Sequence, residues 1–250
     1  MYMSKRMHMA LIVILSIIAY SNTFSVPFQF DDEPSIARNI IIREGRFFTD
    51  PSRAENLPEF TGLKMRYITF LTFALNYRVN GLNVAGYHVV NLIIHIINAL
   101  LLYRLVVLSF RTPFLAGSSL KGHSGTIALT SALLFACHPV QTQAVTYIVQ
   151  RLTSLVTLFY LLSIVSYITW RLKTQVLGDE PGKTEKKSRF SRSKIHSYYL
   201  IALISSIIAM KTKEIAFTLP VIITLYEFMF FQGPIKKRVL PLLPFLLTMS

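Results

Sequence analysis

This sequence predicts an all-α polytopic membrane protein, and three observations carry the prediction. Hydrophobic residues make up 52% of its 250 residues and charged ones only 15%, where a soluble domain carries about a quarter charged. Uncharged apolar runs of membrane-spanning length recur along the chain. The basic residues, finally, sort onto alternate connections between those runs.

Spans are expected at roughly 9–26, 86–108, 125–140, 152–170, 197–213 and 214–231, with one more from 239 onward. The third and fifth are shorter than the roughly 20 residues of a full span. The first is too long for a signal peptide and lacks a small-residue cleavage site, so it reads as a retained anchor. An outer loop, 27–85, follows it and is too long for a simple connection, which points to function. Within that loop, 34–43 is expected as a short amphipathic helix with Ile36, Ile40 and Ile41 on one side and Arg38 and Arg43 opposite. Thr49 to Gly62 reads as irregular, and Arg66 to Tyr77 as a helix lying in the interface.

The second span carries His88, Asn91, His95 and Asn98 on one helical face. Polar groups in a membrane helix turn inward, and hydrogen bonding between helices is the favoured reading for Asn91 and Asn98. His88, nearest the outer end, is a candidate to touch a substrate. No carboxylate or thiolate accompanies the histidines at ligand spacing, so the stripe is not a metal set. Cys137, the only cysteine, allows no disulfide and reads as a small buried hydrophobe. The last run, from Val239, contains Pro241 and Pro244 and is interrupted at Ser250, so a longer protein is expected.

A net charge of +14 would suit nucleic acid, but its distribution does not. With the N-terminus assigned to the cytoplasm, the inner segments hold sixteen basic residues against three acidic ones, and the outer segments ten against eight. This is the positive-inside asymmetry, which accounts for the charge without a nucleic-acid partner. The inner loop 171–196 reads as a solvated basic linker beside anionic lipid.

Three polar clusters fall on the outer side under that topology. Asp31-Asp32-Glu33 ends the first span, with Arg66 farther along the loop. His138 to Gln143, running on to Gln150-Arg151, is the second. Lys211-Thr212-Lys213-Glu214 is confined between two spans at headgroup depth. Each has a plainer reading: Asp32 could cap a short helix opening at Pro34, and Lys211 and Lys213 could snorkel. Gathered on one face, acids and bases suit a phosphate leaving group and a nucleophile that needs a base.

Phe30-Asp31-Asp32, Leu71 to Tyr77, Gly81 and Tyr87 to His95 resemble the start of the membrane-embedded GT-C glycosyltransferases. The likeness is greatest to the protein O-mannosyltransferase-like branch that carries tetratricopeptide repeats after its membrane domain. His138 to Val145, Gln150-Arg151, Lys213-Glu214 and Leu225 to Glu227 continue it in order. Two positions depart from the pattern: Tyr67 follows Arg66 where proline is common, and Gln143 stands where many members have glutamate.

The resemblance implies a GT-C-like transmembrane helix bundle, an integral protein of the cell membrane (the inner one in a bacterium), followed by further spans and outer helical repeats of about 34 residues. It implies transfer of a sugar, mannose in that branch, from a polyprenyl-phosphate carrier to a hydroxyl of protein Ser or Thr on the outer face, with inversion. Asp31 or Asp32 would then be the base, with either left open, and the pair could also hold a divalent metal. Arg66, Arg151, Lys211 and Lys213 would stabilise the phosphate, Arg151 and Lys213 foremost, with His88, His138 and Glu214 beside them. A transporter or lipid-carrier flippase, with the His88–Asn98 stripe lining a path, and a non-catalytic assembly subunit are the alternatives.

Overall fold

The computed structural model describes residues 3–178 and 185–248, the side chains of 177–192 excepted. No strand occurs among the described residues. The longer helices are α1 (Lys5–Ala19), α2 (Tyr67–Asn80), α3 (Val84–Ser109), α4 (Ser124–Cys137), α5 (Arg151–Gly178), α6 (Glu185–Met210) and α7 (Leu219–Phe230). Three helical stretches are long and apolar enough to cross a membrane: Val84–Ser109, Ile148–Val176 and Ser193–Met210. Shorter helices occupy the other expected runs, and α1 stops at Ala19 before a single 3-10 turn at Thr23–Ser25. Of the expected inner loop 171–196, residues 179–184 lie outside the described residues, and the remainder continues α5 and opens α6 rather than forming an unstructured linker.

The chain divides into two compact units. The first comprises Met1–Leu100, Ala132–Leu158 and Lys211–Glu214. Its core joins Ile36, Ile42, Phe73, Tyr87 and Ile148, with Ile41, Phe47, Ala54 and Leu63 forming a second apolar group. Residues 34–43 do not make one helix. A π-type turn, Glu33–Ala37, ends at Arg38, and a fresh helical turn, Ile40–Arg43, begins after Asn39, whose carboxamide oxygen accepts the Ile41 N–H at 2.9 Å. That restart resets the helical phase, so Ile36 and Ile41 are both buried as expected, Ile42 joins them, and Ile40 is exposed, contrary to the expected assignment. The expected irregular stretch holds the turn Pro51–Ala54 and the start of a short helix, Phe60–Met65. α2 then ends at Gly81, whose φ of 56° is open to a residue without Cβ. The Tyr87 hydroxyl donates to the Gly81 carbonyl at 3.0 Å and fixes the turn into α3.

The polar stripe of α3 is spent on main-chain carbonyls. His88 Nε2 lies 2.8 Å from the Val26 oxygen and His95 Nε2 2.9 Å from that of Ala136. The Asn91 amide donates to Ile148 at 3.2 Å, and the Asn98 amide to Ser154 at 2.9 Å. All four side chains are buried. The Val26, Ala136 and Ile148 carbonyls belong to segment ends or short turns, where helix bonds leave acceptors over, and that of Ser154 lies in the first turn of α5, so the stripe ties these segments to α3.

The second unit comprises Leu101–Ser131, Phe159–Met210 and Ile215–Ser250. Tyr167, Trp170, Tyr199 and Phe245 form its aromatic centre, with Trp170 and Tyr199 4.9 Å apart. Ser163 donates to the Ala202 carbonyl at 2.7 Å, tying α5 to α6. Glu227 on α7 is fully buried. It accepts from Arg171 at 2.6 and 2.8 Å and from the Tyr167 hydroxyl at 3.0 Å. A carboxylate at such depth requires this kind of pairing. Elsewhere, Cys137 is exposed at the end of α4, contrary to the buried position expected for it.

Candidate functional site

The acidic pair divides its work between two residues. Phe30, at φ 45°, turns the chain so that Asp31 and Asp32 face different surroundings. Asp32 is 1% exposed. One carboxylate oxygen accepts the Gln29 N–H at 3.0 Å and the other the Val149 N–H at 2.6 Å. It makes no side-chain bond to the turn that follows it, so the helix-capping alternative fails. Burial pushes its carboxyl above the usual aspartate range, against the opposing pull of those N–H groups. Asp31, by contrast, is exposed, and its backbone N–H donates to the Tyr147 hydroxyl at 3.1 Å.

A cavity of about 450 Å³ opens beside Asp31. Its charged lining is Asp31, Glu59, Arg66 and Lys213, and Ser35, Asn39 and Gln150 add neutral polar groups. Phe70, Phe73, Val149 and Leu152 supply apolar wall. Lys213 Nζ donates to Thr153 Oγ1 at 2.8 Å, and that hydroxyl donates to Gln150 Oε1 at 2.8 Å. Arg66 meets Glu214 at 3.3 Å, a half-exposed pair that leaves the guanidinium other donors. Glu59 has one buried carboxylate oxygen with no hydrogen-bond partner among the described residues. Two carboxylates and two cations around one cavity can take a proton from a hydroxyl and meet an anionic group.

The structure brings Asp31, Arg66 and Lys213 together and takes several expected site residues elsewhere. Arg151 is buried to 0% exposure. Its guanidinium donates to Asn91 Oδ1 at 2.7 Å, Asn76 Oδ1 at 2.8 Å and the Tyr87 carbonyl at 3.1 Å, and lies 4.5 Å from the Phe73 ring centre. With those donors engaged it knits α2, α3 and α5, and it does not line the cavity. His88 is likewise enclosed. His138 is exposed and uses Nδ1 to accept the Val140 N–H at 3.2 Å, and Lys211 borders a separate cavity of about 570 Å³ with Glu55, Lys64 and Tyr67. Glu214 reaches the site only through Arg66. Sequence reasoning missed Glu59, whose signal was a carboxylate after Pro58 in an irregular outer stretch. Among the described residues no three His, Cys, Asp or Glu side chains gather as a metal-ligand set.

Comparison with known proteins bears on what this cavity serves. The chain is 32% identical over 172 residues to a protein O-mannosyl-transferase of Caenorhabditis elegans, covering 64% of this chain and 23% of that protein. It is 32% identical over 173 residues to protein O-mannosyl-transferase Tmtc3 of Drosophila melanogaster, 62% of this chain and 18% of that protein. It is 32% identical over 165 residues to the human protein O-mannosyl-transferase TMTC1, 63% of this chain and 17% of that protein. The chain is related to protein O-mannosyl-transferases. It spans about a fifth of the length of these relatives. No family model matches it. No solved structure matches it either.

Proposed function

We propose that this chain is the N-terminal part of the membrane domain of a GT-C-type glycosyltransferase, working at the cavity beside Asp31. The donor is a polyprenyl-phosphate sugar, mannose by kinship, and the acceptor a Ser or Thr hydroxyl of a protein. Asp31 is the base. Its carboxylate takes the acceptor's hydroxyl proton as the oxygen bonds to the anomeric carbon. The bond from that carbon to the phosphate oxygen breaks on the opposite face, its electron pair leaves with the polyprenyl phosphate, and the configuration inverts. Arg66 and Lys213 meet the charge growing on the leaving phosphate.

The reading rests on one observation, the gathering of Asp31, Arg66 and Lys213 around a single cavity, and kinship to proteins named protein O-mannosyl-transferases supports it. By the charge rule the cavity opens on the outer face, and α3, α5 and α6 are spans of a polytopic bundle. The path-lining alternative finds no support in the α3 stripe, whose four side chains are buried and bonded to carbonyls. The test is sugar transfer from a synthetic polyprenyl-phosphate mannose to a Ser/Thr peptide, by the complete gene product and its Asp31→Asn variant. General-base catalysis predicts a loss of about 10²–10⁴ in rate. A variant retaining full rate would overturn the assignment.

A further inference from the structure

A third cavity, of about 700 Å³, lies within the second unit where α5 ends and the turn after α7 begins. Arg171, Lys237 and Arg238 line it, together with the neutral groups of Thr174, Gln175 and Gln232. Among the described residues one carboxylate serves the two arginines. Glu227 binds Arg171 at 2.6 Å and stands 3.7 Å from Arg238 Nε. Among the described residues, three cations against one acid leave a balance of two positive charges at the cavity.

The two guanidiniums are held in place before any ligand arrives. Arg171 has a side chain 8% exposed, gripped by Glu227 and set 5.0 Å from the Phe231 ring centre. Arg238 gives Nη2 to the Glu227 carbonyl at 3.0 Å, capping a helix-end acceptor, and lies 4.3 Å from the Phe228 ring centre. Its Nε is buried and has no hydrogen-bond partner among the described residues. A buried cationic donor whose nearest carboxylate oxygen stands 3.7 Å away, beyond hydrogen-bond reach, leaves room for a further acceptor beside an excess of positive charge. Arg171 gives Nε and Nη2 to the Glu227 carboxylate and Arg238 gives Nη2 to the Glu227 carbonyl, so the remaining guanidinium N–H groups and the Lys237 ammonium are the donors left to meet phosphate oxygens.

The surroundings add an apolar requirement. Phe114, Met229 and Ile235 are 63%, 62% and 70% exposed near the residues that line the cavity. Trp170, the only tryptophan, directly precedes Arg171, as aromatic residues do where an apolar helix meets the headgroup layer. The volume exceeds what a bare phosphate fills and falls within the range of small-molecule sites. We propose that this cavity binds the phosphate group of an anionic ligand, and that in a membrane this group belongs to a phospholipid headgroup. The site is separate from the transfer chemistry proposed above and does not depend on it.

The experiment is native mass spectrometry of the purified full chain, delipidated in detergent and titrated with phosphatidylglycerol or phosphatidylcholine. The expected result is one phosphatidylglycerol retained per chain in preference to phosphatidylcholine. Lys237→Ala and Arg238→Gln should each weaken retention by about tenfold or more, while Lys236→Ala, which does not line the cavity, leaves it unchanged. Lys237 is exposed, so its variant keeps the fold and decides the matter if Arg238→Gln does not. Titration with inorganic phosphate separates the sources. Phosphate bound alone, with the same dependence on Lys237, assigns the site to soluble phosphate compounds. No preference for phosphatidylglycerol together with no phosphate binding overturns the proposal. Equal losses from Lys236→Ala and Lys237→Ala also overturn it, in favour of a diffuse basic surface.

Discussion

Asp32 accepts a hydrogen bond of 2.6 Å from the main-chain N–H of Val149, 117 residues farther along the chain. With its second oxygen on Gln29 at 3.0 Å, it clasps the outer loop to the segment leading into α5. Both clasped segments carry cavity-lining residues, Asp31 on one side and Gln150 on the other.

The two aspartates should therefore fail in different ways. Asp31→Asn should leave thermal stability unchanged and remove transfer. Asp32→Asn puts an amide NH₂ against one of two backbone donors and should cost about 1–3 kcal/mol of stability. Unfolding in detergent, followed by circular dichroism beside the transfer assay, separates the two effects. Equal stability losses would deny the division of labour.

Acidity supplies a second check on Asp32. Burial raises its folded pKa above the unfolded value of about 3.9, so the folded state holds this proton more tightly. Its contribution to stability is full below the unfolded value and is lost as pH rises through the folded one. The melting midpoint of the wild type, compared with Asp32→Asn, should fall as pH rises from about 4 towards 7. Parallel curves for the two proteins would remove Asp32 as the source.

Arg151 should prove structural. Methionine there leaves two carboxamide oxygens and the Tyr87 carbonyl without their donor, at about 2–5 kcal/mol in all. Lysine keeps the charge but lacks the planar fork and should recover only part of that loss. A stable Arg151→Met protein that has lost transfer alone would return this residue to the chemistry.

These residues show where the sequence was legible. Spacing alone identified the α3 stripe as one inward face, and hydrogen-bonding glue was the favoured reading for its asparagines. The burial of Arg151 could not be foreseen, because its partners Asn76 and Asn91 lie 75 and 60 residues away and nothing local marks them. Ile40 left the buried side because Asn39 restarted the turn, a capping event inside what periodicity treats as one helix. The cavity drew Asp31 and Arg66 from one of the clusters that charge patterning had grouped, Gln150 from the second and Lys213 from the third, and Glu59 from a stretch with no pattern at all.

Gly62 tests the shape of the cavity. A Cβ added there would come within 3.0 Å of the Phe70 ring tip, and Phe70 forms part of the wall. Gly62→Ala should displace the ring, cost about 1–3 kcal/mol, and raise KM more than it lowers kcat. An unchanged KM in a folded variant would argue that substrate does not enter here.

The topology can be read with single cysteines in a Cys137→Ser background. Sites at 31, 141 and 212 should react with an impermeant thiol reagent in intact cells, and sites between 178 and 194 should not. Outside labelling of that basic stretch would invert the assignment of sides.

The clasp at Asp32 has a genetic consequence. Both its partners are main-chain N–H groups, which every residue except proline supplies alike. Second-site changes at 29 or 149 therefore have nothing to offer a damaged Asp32, and a suppressor screen started from Asp32→Ala should recover only true revertants or replacements at 32 itself. Proline at 149 should reproduce the Asp32 defect in a chain whose carboxylate is intact.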